Sequence, residues 1–155
     1  MFIISHRGNL DGPDLIQENK PEYIDEALSN GFDVEVDVRF INKSIFLGHD
    51  EAQYLINLNW LNERNKKIWL HCKNKQAAEN LQNFNSFCHA QDPFVYVSNG
   101  KIWLHDMTLE ITNKCLLPLI SKDDLDIFFN KINHIVKPYA ICTDYPLYAQ
   151  RFLIK

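Results

Sequence analysis

The sequence predicts an α/β fold built on a mainly parallel sheet, and three observations carry that expectation. Strand-type apolar runs are followed by helix-type segments at the start, middle and end of the chain. Chemistry-bearing residues fall at the carboxyl ends of strand-type runs: His6, Asp37, His49, His71 and Asp144. In closed parallel barrels that rim is where functional groups gather. Finally, the 155 residues form one domain, 1–155, with enough chain for its own core. A full (β/α)₈ barrel usually needs about 250 residues and seldom fewer than roughly 200. A barrel here is therefore abbreviated, with several helices of its second half reduced to loops or missing.

The elements follow in order. Phe2 to Ser5 is a short apolar run that must end near Gly8, leaving His6 and Arg7 at its carboxyl end. Asn9 to Lys20 contains Gly12-Pro13 and reads as a loop. Pro21 opens a helix through Tyr23, Ile24, Ala27 and Leu28, and Asn30-Gly31 stops it. From Phe32 to Phe40, Val34, Val36 and Val38 alternate with Asp33, Glu35, Asp37 and Arg39, so the charges share one strand face. Ser44 to Gly48 is a hairpin return that delivers His49 to a strand end.

Lys67 to Cys72 is a third strand, with a helix from Asn74 to Leu81 behind it. Phe94 to Ser98 and Lys101 to His105 flank Asn99-Gly100, a hairpin dipeptide. Cys115 to Ile120 reads as a strand in spite of Pro118. Ser121 caps a helix with Asp123 and Asp124 in its first turn and Leu125, Phe128, Phe129 and Ile132 on one face. Tyr139 to Thr143 closes the strand set, and Pro146 to Leu153 is the last helix.

Composition narrows the function classes. Hydrophobic residues make up 46% and charged residues 23%, with a net charge of −4, so no basic field recruits nucleic acid. No run of about 18 apolar residues exists, so no membrane span is expected. Cys72, Cys88, Cys115 and Cys142 are widely spaced and read as reduced, small apolar residues, which suits a cytoplasmic location.

The acidic pair is the first chemical signal. Two positions apart on a strand, Glu35 and Asp37 have Cα atoms roughly 6.6 Å apart on one face. Two negative charges at that spacing repel by about 2.5 kcal/mol at an effective dielectric near 20. A bound Mg²⁺, Ca²⁺ or Mn²⁺ would relieve that repulsion, and so would an ion pair between Glu35 and Arg39 on a solvated face. The histidines are the second signal. His6-Arg7-Gly8 joins an imidazole to a guanidinium fork suited to phosphate and a glycine that permits close approach. With His49 after Leu47-Gly48, the chain holds two groups able to act as general acid and base.

The order of these motifs resembles the glycerophosphodiester phosphodiesterase family, of the phospholipase-C-like phosphodiesterases. The likeness rests on His6-Arg7-Gly8, Glu18-Asn19, Ala27, the run Gly31 to Val38, and Gly48-His49-Asp50. It continues thinly through Ile68 to Lys73 and through Thr143-Asp144-Tyr145-Pro146. From about Asn83 to Lys137 no motif can be placed.

The resemblance implies an abbreviated TIM-type barrel that hydrolyses a small phosphodiester substrate with one divalent cation. By position, His6 and His49 would be the catalytic acid/base pair, and Arg7 and Lys73 would hold the phosphate. Glu35 and Asp37 would bind the metal, with Glu18, Asn19 and Asp144 in support. In such enzymes a substrate hydroxyl attacks first, and water opens the resulting cyclic phosphate. The family's third metal ligand is a glutamate two residues before the lysine, and His71 stands there. An imidazole in place of a carboxylate tilts the site toward Mn²⁺, Co²⁺ or Zn²⁺. The other consequence would be a catalytically silent phosphate-binding pseudoenzyme. A shortened barrel would also expose apolar edges, which a homo-oligomer could cover. Trp69 and Trp103 read as core or rim packing, His89 and His134 as surface or structural, and His105-Asp106 as an echo of His49-Asp50 without a second acidic pair.

Overall fold

The computed structural model describes residues 1–154. Its centre is β1 (Phe2–His6), flanked by β2 (Asp33–Ile41) and by β10 (Ala140–Thr143), both parallel to it. Beyond β2 lie β5 (Ile68–Cys72) and then β6 (Asn85–Phe87), again parallel. Beyond β10 lie β9 (Cys115–Pro118) and β8 (Ile102–Leu104), parallel, and then β7 (Phe94–Tyr96), antiparallel to β8. A hairpin of β3 (Ser44–Leu47) and β4 (Tyr54–Ile56) branches antiparallel from the second half of β2.

This corrects the expected abbreviated TIM-type (β/α) barrel. The ten strands form one mixed sheet curled into a half-barrel, with only five short α-helices among the described residues. The physical reason lies in the connections. Residues 88–93, 97–101 and 105–114 link β6 through β9, and each stretch is too short for the helical crossover of a repeating (β/α) unit. The Asn99-Gly100 dipeptide makes one of these links a hairpin. The mixed parallel and antiparallel pairing follows from that chain economy.

The helices collect on the convex face. α1 (Pro21–Ser29), α2 (Leu58–Arg64) and α3 (Lys75–Asn80) bury Ile24, Ala27, Leu61 and Ala77 against Val34, Val36 and Val38. Each such valine contributes about 1.5–3 kcal/mol by leaving water, which fixes the register of β2. A one-residue slip would send the valines to the concave face and the carboxylates into the apolar layer. α4 (Lys122–Lys131) and α5 (Pro146–Gln150) cover β8 to β10 through Leu125, Phe128, Phe129 and Ala149. Ser121 and Asp124 form a complete capping box at the start of α4. A third cluster fills the concave face: Ile4, Trp69, Phe87, Val97, Trp103 and Leu116 with Ala140 and Cys142.

Three elements escaped the sequence reading: β4, α2 and β6, each seven residues or fewer. The α2 start carries a legible signal, since the Asn57 side chain accepts from Trp60 N–H. Cys72, Cys115 and Cys142 are buried as free thiols, whereas Cys88 is exposed. No helix among the described residues is long and apolar enough to cross a membrane.

Candidate functional site

The register of three parallel strands brings the chemistry together. His6 pairs with Glu35 across β1 and β2, and Asp37 pairs with His71 across β2 and β5. Neighbouring positions in register point the same way. Histidine and carboxylate therefore alternate along one stretch of concave surface.

Glu35, Asp37 and His71 each offer a ligand atom within 4.8 Å of the others, an arrangement that could hold a metal ion. The donor set fits a cation on a second count. Glu35 Oε2 and Asp37 Oδ1 are buried and make no hydrogen bond, and burying an unpaired carboxylate oxygen is costly. Nitrogens stand close without satisfying either oxygen: His71 Nδ1 lies 3.0 Å and Lys73 Nζ 3.6 Å from Asp37 Oδ1, and His6 Nε2 lies 3.9 Å from Glu35 Oε2. Arg7 Nε is 2.9 Å from Asp37 Oδ2. The two carboxyls respond oppositely. Burial, with Asp37 beside it, pushes Glu35 up to about 7. Burial would raise Asp37 too, but His71, Arg7 and Lys73 outweigh it and hold that carboxyl well below the usual range.

His6 is fixed by Asp144, whose Oδ1 lies 2.7 Å from His6 Nδ1. A carboxylate can only accept, so Nδ1 carries the proton in this pair and Nε2 faces Glu35 at 3.9 Å. Burial opposes charge on this imidazole, but Asp144 and Glu35 prevail and raise its pKa. Behind it, Asn9 Nδ2 donates to Asp144 Oδ1 at 2.7 Å and to Glu18 Oε1 at 2.9 Å. Glu18 Oε2 accepts from Arg7 Nη1 at 3.0 Å, and Asn19 Nδ2 donates to Asp37 Oδ2 at 3.1 Å. Arg7 and Asn19 both adopt left-handed backbone, φ 54° and 64°. Arg7 N–H donates to Glu35 O, and Asn19 N–H to Arg7 O, so backbone hydrogen bonds hold that strained turn in place.

His49 arrives from the other side, on the loop after β3. Arg39 grips this loop: its guanidinium donates to the carbonyls of Gly48, His49 (2.7 Å) and Asp50 (3.1 Å). Arg39 thus serves the loop rather than forming the Glu35 ion pair that was the alternative on sequence grounds. His49 Nδ1 lies 2.7 Å from Asp50 Oδ1, which leaves Nε2 free. Gly48 has φ +139°, and a Cβ there would lie 2.2 Å from Glu51 O. Gly48→Ala is expected to lower stability by about 2 kcal/mol or more through backbone strain and displacement of this loop. Urea unfolding would measure the loss.

His6, Arg7, Glu35, His49, His71 and Lys73 line one cavity of about 410 Å³, a size that suits a small organic ligand. Two wider depressions, about 890 and 820 Å³, lie by Asp25 and Arg64 and by Phe40 and Trp60; no histidine lines either. The supporting positions Glu18, Asn19 and Asp144 sit directly behind the lining, as their hydrogen bonds show.

Sequence reasoning missed four residues here. Asn9 bridges Asp144 and Glu18, and Arg39 holds the His49 loop. His89 and His105, expected at the surface or without a partner site, line the same cavity. The His105-Asp106 echo of His49-Asp50 pointed there, although Asp106 itself accepts from Thr108 instead. Five of the six histidines therefore share one cavity, His134 alone being absent from its lining. Comparison of the chain with protein-family models, curated proteins and solved structures yields no match. The side chains carry the functional argument alone.

Proposed function

We propose that this chain is a divalent-cation-dependent phosphodiesterase of the glycerophosphodiester type, acting on a small phosphodiester. The observation that carries the reading is the meeting of His6 and His49 in one cavity with Arg7, Lys73 and the Glu35-Asp37-His71 group. Anion binding alone has no use for two carboxylate-held imidazoles, whereas phosphoryl transfer needs one to take a proton and one to give it.

Arg7 and Lys73 draw the phosphate into the cavity and fix its oxygens. His49, with its Nδ1 proton held by Asp50, takes the proton of the attacking substrate hydroxyl at Nε2. The new P–O bond closes a cyclic phosphate as the bond to the leaving alcohol breaks. His6 supplies the proton to that alcohol from Nε2; its raised pKa keeps a protonated fraction near neutrality. Asp144 and Asn9 hold the ring in position while it does so. In the second step the roles reverse: His6 takes a proton from water, and His49 returns one to the ring-opening oxygen. Glu35, Asp37 and His71 would hold the cation, which when bound offsets charge on the phosphoryl oxygens.

A second reading has an observation of its own. His71 and Lys73 already crowd Asp37 Oδ1, so the protein partly neutralises its own carboxylates. On that reading the cavity binds phosphate without turnover. The deciding assay offers glycerophosphocholine, glycerophosphoethanolamine and a glycerol aryl phosphodiester with Mg²⁺, Ca²⁺, Mn²⁺, Co²⁺, Zn²⁺ or chelator. Turnover is expected with an ion and absent with chelator, with Mn²⁺, Co²⁺ or Zn²⁺ favoured by the His71 nitrogen. Folded protein inert with every ion would sink the enzyme and leave the binder.

A further inference from the structure

The cavity has two unlike halves. One carries every charged side chain in its lining together with His6, His49 and His71. The other is built from Phe87, His89, Trp103, His105, Pro118 and Ile120, with no Lys, Arg, Asp or Glu among the described residues that line it. In this second half the rings are packed on one another. Phe87 stacks on Trp103 at 4.3 Å, and His71 lies 5.1 Å from Phe87 and 4.5 Å from His89, within 8° of parallel to each, with Phe87 and His89 themselves 6.3 Å apart. His105 follows at 4.2 Å from His89. Together these rings give the cavity an aromatic wall, and that wall holds no carboxylate to pair with a cation. A planar ring packs on such a wall in stacked or edge-to-face contact. The half also offers polar atoms: His105 Nε2 is buried with no hydrogen-bond partner, and His89 Nδ1–H donates to Ala90 O, leaving Nε2 as an acceptor.

We propose that this half receives the leaving-alcohol arm of the substrate, and that the arm carries an uncharged planar ring rather than a cationic amine. The inference rests on the reading of the charged half as the phosphate end. It makes His89 and His105 specificity-determining residues, with ring nitrogens reaching a polar substituent or ring heteroatom. An aryl alcohol and a nucleoside share this chemistry.

The test is calorimetric binding to the full chain of phenyl phosphate, adenosine 5′-monophosphate, phosphocholine, glycerol 3-phosphate and inorganic phosphate. The ring-bearing ligands should bind at least ten-fold tighter than inorganic phosphate, with phosphocholine and glycerol 3-phosphate gaining little. Preference between phenyl phosphate and the nucleotide tells a small aryl arm from a nucleobase. In the His89→Ala/His105→Ala double variant the ring advantage should shrink to three-fold or less while inorganic phosphate binds as before. Equal affinities, a preference for phosphocholine, or a ring advantage that survives the double substitution would overturn the inference. Failure of all five ligands to bind would remove the phosphate reading with it. Absence of turnover in the ion panel leaves this comparison intact, so the two failures are separable.

Discussion

His6→Ala and His49→Ala should each lower cation-dependent kcat on a glycerophosphodiester by about 10²–10⁴-fold, the usual worth of a positioned acid or base. Both variants should stay folded, because Asp144 keeps its bond from Asn9 and the His49 side chain is 40% exposed. The two losses should differ in kind. An alcohol that departs as a stable aryl anion needs no proton, so the His6→Ala defect in the first step, alcohol release, should largely vanish on a glycerol aryl phosphodiester. The His49→Ala defect should persist on that substrate, since deprotonation of the attacking hydroxyl is unaffected by the leaving group. Single-turnover release of the alcohol from the two substrates reads this directly, ahead of the ring opening in which His6 is the base. Equal defects of both variants on both substrates would contradict the assignment of acid to His6 and base to His49.

Glu35→Gln should stabilise the metal-free protein at pH 8 while weakening divalent-ion binding at least ten-fold. Glu35 is buried, and its carboxyl is pushed up to about 7 from 4.5, first by burial and then by Asp37. An acid whose folded pKa lies above its unfolded value adds stability below the unfolded pKa, and that contribution is lost as pH rises through the folded one. For Glu35 the window runs from about 4.5 to 7 and the loss is on the order of 3 kcal/mol. His6, also raised, works in the same direction, while His71, lowered first by burial, gains with pH and offsets part of it. Thermal unfolding in chelator should thus show wild-type Tm falling between pH 5 and pH 8, with a smaller fall in Glu35→Gln.

Asp37→Asn should instead destabilise the metal-free protein. It withdraws the anion from between Arg7, His71 and Lys73, and breaking such a buried cluster costs about 3–5 kcal/mol, or roughly 10 °C in Tm for a domain of this size. If both carboxylate variants shift Tm the same way at pH 8, the opposite displacement of the two carboxyls is wrong.

Much of this site is readable in the sequence. Alternation of Val34, Val36 and Val38 with Glu35 and Asp37 assigned the two faces of β2, because a strand under helices must turn its apolar side to them. Gly8, Gly48 and Asp144-Tyr145-Pro146 mark strand ends, which places His6, His49 and Asp144 on the rim. What remained hidden depended on non-local pairing. Nothing near Arg39 in sequence says that it holds carbonyls of residues 48–50 rather than a carboxylate four positions away. His89 and His105 reach the cavity only because β6 and β8 curl toward one another, and three-residue strands leave no periodic signature. The same brevity misled the fold expectation: alternation at the chain's two ends was extended across a middle that has no room for helices.

The helix-poor stretch from β6 to β9 has an evolutionary consequence. Phosphate-end residues come from positions 6–73, braced by Asp144, while Phe87 to Ile120 supply the opposite wall. The crossovers in that wall carry no helix that must dock on the convex layer. Insertions, deletions and side-chain swaps in those crossovers leave the Val34-Val36-Val38 layer untouched. Selectivity can drift by exchange of this cassette while the reaction centre is inherited unchanged, and a library confined to it would retain the parent chemistry across many altered preferences.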